Sequence, residues 1–105
     1  MPSILPTELA VRLARGEAVV IVDVRTAREY IGGHVPGAVN VPFTEIGARV
    51  SEITARCGDE IVVYCGHGPR AWIAGAWLRR RGFRRILYLR GHWAGWRRAR
   101  LPVET

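Results

Sequence analysis

Ile61-Val62-Val63-Tyr64-Cys65-Gly66-His67-Gly68-Pro69-Arg70 sets a buried strand, a glycine-rich turn and a helix start into ten consecutive residues. Ile61 to Tyr64 is continuously apolar and mostly β-branched, as in a strand covered on both faces rather than one. The residues after the turn predict a helix from about 70 to 81 that Gly82 ends, with Ile73, Ala74, Trp77 and Leu78 sharing its core face.

The same alternation extends outward in both directions. Upstream, Ile46, Val50, Ile53 and Cys57 recur at helical spacing and predict an amphipathic helix over 45–57, closed by Gly58, with Cys57 on its core face. Residues 37 to 41 read as a short strand. Thr26-Ala27-Arg28-Glu29 matches a capping box, and Gly32-Gly33 stops the short helix it opens. Val19-Val20-Ile21-Val22 is a second buried strand with Asp23-Val24-Arg25 at its end, and residues 6 to 15 form a helix that tolerates Pro6 in its first turn. Downstream, Ile86-Leu87-Tyr88-Leu89 is the final strand, followed by Arg90-Gly91-His92.

Strands alternating with helices define an α/β fold: a central, mainly parallel sheet of about five short strands with helices on both faces. Ligands of such sheets bind beyond the carboxyl ends of the strands. That rule gathers Asp23 to Arg25, the loop at 65–70 and residues 90–92 on one edge.

At 105 residues, 49% hydrophobic and 24% charged, the chain is expected to be one globular domain over 1–105. Its start lacks a basic, then apolar leader, and no segment approaches the roughly 18 apolar residues of a membrane span, so no membrane partner and a cytoplasmic location are expected. Two cysteines make no disulfide framework and stay thiols in a reducing compartment. All sixteen basic residues are arginine, and ten of them fall in residues 65–105 against Glu104 alone. A field of that sign attracts small anions, acidic proteins or nucleic acid.

Cys65 is the candidate nucleophile. The first N–H groups of the following helix lack internal partners and, with those of the loop, can converge on an anion, here a thiolate or a charged sulfur attached to it. A free cysteine titrates near about 8.5, but a helix N-terminus and cations such as Arg70 and His67 lower it. Gly66 and Gly68 let the backbone curl round the sulfur, while Pro69 stiffens the turn and removes one N–H. Cys57 reads as a structural residue, with a resolving thiol as the lesser reading. The histidines and cysteines show no ligand spacing, so no metal is expected, and neither serine lies in a nucleophile elbow.

These residues resemble the rhodanese family over nearly the whole chain. Asp23-Val24-Arg25 looks like its first-strand motif, and Glu29-Tyr30 with Gly33 to Pro42 like its first signature. Cys65, Gly68 and Arg70 match its Cys-x-x-Gly-x-Arg loop, and Leu89, Gly91 and Trp96 its closing pattern, except that Gly91-His92 stands where two glycines are usual. The resemblance implies a sulfurtransferase: the Cys65 thiolate takes sulfane sulfur from a small anionic donor such as thiosulfate, and the resulting persulfide passes it to cyanide or a thiol acceptor. No cofactor beyond that covalent sulfur is implied. Arg70 either pairs with the donor or anchors the loop. Asp23, Arg25, Glu29 and His34 would form a supporting network behind it, and Trp72 lies exposed one turn past it.

Three rivals stand beside this reading. A cysteine phosphatase or arsenate reductase uses five residues between Cys and Arg, whereas Cys65 and Arg70 have four, a smaller ring better suited to a lone sulfur. A non-catalytic module usually has the cysteine replaced. A relay module would use the arginines to recruit an acidic sulfur-carrier protein or tRNA, although a solvated basic face is the plainer reading of them.

Overall fold

The computed structural model describes residues 2–53, 55 and 57–105. Among them five strands, β1 (Ser3–Ile4), β2 (Val20–Asp23), β3 (Val39–Asn40), β4 (Glu60–Tyr64) and β5 (Arg85–Leu89), pair in parallel in the order β1-β5-β4-β2-β3. The helices are α1 (Pro6–Ala14), α2 (Ala27–Ile31), α3 (Ile46–Arg49), α4 (Pro69–Arg80) and α5 (His92–Arg98). None is long and apolar enough to cross a membrane.

Side chains of β4 alternate between two cores, as the pleat requires. Ile61 and Val63 face Ile46 of α3 and Ala71, Ala74 and Leu78 of α4. Val62 and Tyr64 face Leu9 of α1 and Trp96 of α5. Helices therefore cover both faces, and Cys65 continues the first row one step past the strand.

β2 lies between β3 and β4, with Asp23 in register with Tyr64. The chain leaves β2 toward one side of the sheet and returns as β4 on the other. That reversal opens a crevice at the carboxyl ends of the two strands, where Val24 and Cys65 emerge side by side.

Two expected faces need correction. The 45–57 segment is not one helix: a 3-10 turn at Phe43–Glu45, α3 and a second 3-10 turn at Val50–Glu52 follow one another, and Ile53 is extended. Gly47 and the β-branched Val50 and Ile53 favour helix poorly. The periodicity marked burial correctly, since Ile46 and Ile53 are buried, but burial came without a continuous helix. Residues 54 and 56 of that expected helix lie outside the described residues. Cys57 consequently sits exposed in the turn before β4, not on a core face.

In α4 the buried residues are Ala71, Ala74, Gly75 and Leu78, while Ile73 and Trp77 are exposed. Small side chains face inward because the helix lies close against the sheet. A Cβ on Gly75 would overlap the Tyr88 hydroxyl.

Candidate active site

β4 delivers Cys65 to the crevice almost fully buried, with 1% of its surface exposed. Its backbone is held from α5: the Cys65 N–H donates to His92 Nδ1 at 3.2 Å, and the Cys65 carbonyl accepts the Trp93 N–H at 2.9 Å. The Ala94 N–H adds a bond to the Gly66 carbonyl at 3.3 Å. The loop is thus fastened at its start before it turns.

Gly68 completes that turn as the N-cap of α4, with φ +140°, a backbone region that L side chains avoid. In this conformation its N–H donates to Cys65 Sγ at 2.9 Å. A Cβ there would meet the Trp72 indole at 3.3 Å and His92 Nε2 at 3.5 Å, so Trp72 walls the loop on one side. Burial pushes the Cys65 thiol up, but the neighbouring His92 and the N–H groups of Ala71 and Gly68 outweigh it and bring it down to about 7. The sulfur is a thiolate in a substantial fraction of molecules at neutral pH.

Of the two roles open to Arg70, the geometry favours the anchor. Its guanidinium meets the Glu29 carboxylate through two bonds, 2.7 and 3.2 Å, and reaches over Gly66, where an added Cβ would lie 3.0 Å from it. The Arg70 hydrogen bond, aided by Thr26, takes Glu29 down to about 2. Thr26 and Glu29 form the expected capping box of α2, so one carboxylate both caps that helix and ties it to the loop.

Asp23 at the end of β2 and Arg25 just past it form a buried pair, bonded at 2.7 Å, with the Arg25 guanidinium also donating to the Gly33 carbonyl and lying 4.6 Å from the Trp93 ring centre. Burial opposes the Arg25 charge, and Asp23 more than offsets that penalty. His34 stands apart from this group: it stacks on Tyr30 and bonds the Tyr30 carbonyl and Glu104, linking α2 to the C-terminal segment. The four supporting residues are therefore three separate ties rather than one network. His67 and Pro69 are exposed on the loop.

The sequence placed His92 on this edge without giving it a role, and it did not single out Trp93. The departure from two glycines at positions 91 and 92 was their signal. Cys57 precedes β4 while Cys65 follows it, so five strand residues at roughly 3.3 Å each separate the two thiols, too far for a resolving pair without rearrangement. A cleft of about 530 Å³ lies at the opposite sheet edge among Arg12, Glu60 and Arg85, where the charges already pair with one another.

Residues 5–99 match the family model of the Rhodanese-like domain. A sulfurtransferase of Allochromatium vinosum is 40% identical, over 90% of this chain and 87% of its own length. An HTH-type transcriptional regulator of Mycobacterium tuberculosis is also 40% identical over 97% of this chain, which spans 44% of that protein. The solution structure of the rhodanese-like domain of an Anabaena sp. protein superposes with a TM-score of 0.87 at 30% identity, covering 100% of this chain and 80% of that one.

Proposed function

This chain belongs to the rhodanese-like domain family, and from that premise we propose that it is a sulfurtransferase that carries sulfane sulfur as a persulfide on Cys65. The observation that carries the proposal is a cysteine titrating at about 7 whose sulfur accepts backbone N–H bonds at the start of α4. Thiosulfate presents its outer sulfur to the thiolate. An S–S bond forms to Cys65, the bond from that sulfur to the sulfonate breaks, and sulfite leaves with the electron pair. Cyanide or a thiolate then attacks the terminal sulfur and returns Cys65 as thiolate, so no cofactor, metal or redox partner enters the cycle.

Gly68 and Ala71 provide the N–H groups for the anion in both half-reactions, because neither the persulfide nor the thiolate leaves the loop. Gly66, His67 and Pro69 complete the ring of backbone, and Arg70 holds it to Glu29. Asp23 and Arg25 fix the neighbouring strand end. A reducing, cytoplasmic setting would keep Cys65 available for this chemistry.

The acceptor is proposed to be a thiol on an acidic sulfur-carrier protein, which the nine exposed arginines of residues 79–100 would recruit; in a relay to RNA thiolation the same arginines would hold tRNA.

Intact-protein mass spectrometry after incubation with thiosulfate tests the assignment. One added sulfur is expected, cyanide removes it, and Cys65→Ser never acquires it. An unchanged mass across thiosulfate, polysulfide and persulfide donors, with Cys65 still alkylatable, would replace the transferase by a binding module.

A further inference from the structure

His92 occupies a position that backbone geometry reserves for residues tolerant of a left-handed conformation, with φ +53°. The imidazole is 7% exposed, and its two nitrogens face different parts of the same loop. Nδ1 accepts the Cys65 N–H, which leaves the ring proton on Nε2. Nε2 in turn lies beside Gly68, 3.5 Å from where a side chain there would begin, and the Gly68 N–H is itself bonded to the Cys65 sulfur.

We infer that His92 is a catalytic residue of this site: its Nε2–H donates to the Cys65 sulfur and stabilises the negative charge that the thiolate and the persulfide both carry. The inference rests on the reading of Cys65 as the nucleophile and adds a side-chain donor to the backbone ones. A strained backbone is retained at functional positions when the side chain it carries is needed there. The low titration of Cys65 agrees, since the neighbouring His92 is the largest influence opposing burial.

Other charged groups lie around the loop. Arg70 of α4 feels its charge but is held by Glu29 of α2. Asp23 and Arg25 pair with each other at the end of β2, His67 belongs to the loop itself, and Arg97 of α5 is turned onto the Trp93 ring. Of these groups, His92 alone is bonded to the Cys65 backbone.

The pH dependence of iodoacetamide alkylation of Cys65, followed by peptide mass spectrometry in the full-length chain, tests this. His92→Gly accepts the left-handed backbone and removes the donor. His92→Asn also accepts that backbone, and its Oδ1 can replace Nδ1 on the Cys65 N–H, but its amide does not extend to the Nε2 position. Both variants are expected to shift the alkylation midpoint upward by on the order of one pH unit, slowing the reaction several-fold near neutral pH. His92→Gln, whose amide reaches the Nε2 position, should recover part of the shift. A wild-type midpoint in His92→Asn would reduce His92 to a backbone strut and overturn the inference. Alkylation needs no sulfur donor, so this outcome is independent of whether thiosulfate loads the protein.

Discussion

At Cys65 two opposing effects set the charge of the sulfur: loss of water favours the thiol, while the hydrogen bonds converging on it favour the thiolate. Because the second wins, thiosulfate uptake should rise with pH to a half-maximum at about 7 and then level off, measurable by quenched-flow mass spectrometry. Glu29 shows the same logic in a carboxylate. It is depressed from 4.5 to about 2, so the stability its pair with Arg70 contributes is complete above about 4.5 and disappears as the pH falls through about 2. Glu29→Gln keeps the capping box and breaks the ion pair. In urea titrations it should lose up to about 1 kcal/mol at neutral pH, with the gap to wild type closing toward pH 2. Cys65, Gly68, Arg70 and Glu29 were legible in the sequence because each belongs to a motif with fixed spacing. The place of His92 on the site's edge was legible too, but its role was not, since a lone histidine carries no spacing, and its partner lies twenty-seven residues away across the crevice.

Among the elements, α4 shows how packing distance overrides apolar periodicity. Trp72, Ile73 and Trp77 are large and apolar, yet they face outward, because the row of Ala71, Ala74 and Gly75 fits against β4 and β5. Gly75→Ala should destabilise the protein by roughly 1–3 kcal/mol despite the better helix propensity of alanine, because the new methyl meets the Tyr88 hydroxyl. Chemical denaturation of this variant against Ala76→Gly, an exposed position in the same helix, separates the clash from propensity. Strands β2, β4 and β5 were readable as apolar runs, and α1 and α2 from their caps. Two elements escaped: β1 has two residues, too few for any period, and α5 interrupts its pattern with Gly95 and begins at a left-handed residue.

For the whole molecule, the arginine excess divides by place. Arg79, Arg80, Arg81, Arg84 and Arg85 lie where α4 ends and β5 begins, the edge of the sheet away from Cys65. Twelve residues of α4 at about 1.5 Å each set that cluster roughly 15 Å or more from the loop, beyond the screening length at physiological salt. It therefore has little hold on a small anion entering the crevice. A triple Arg80→Gln, Arg81→Gln, Arg84→Gln variant should load sulfur from thiosulfate within about twofold of wild type. If these arginines recruit tRNA as the relay reading holds, the variant should bind it in a filter assay with lower affinity and a smaller salt dependence than wild type, whereas no binding by either protein leaves them a solvated face. Charge composition located the arginines along the chain, but only the parallel topology separated this cluster from the loop. The same topology bears on how the protein is made. Among the described residues β1 pairs with β5 alone, and Ile4 shares a core with Leu89 and Trp96, so β1 has no sheet neighbour until β5, the last of these strands in chain order, has been made. Until then a nascent β1 must remain unpaired, which makes closure of this sheet edge a late, long-range step in the folding of the domain.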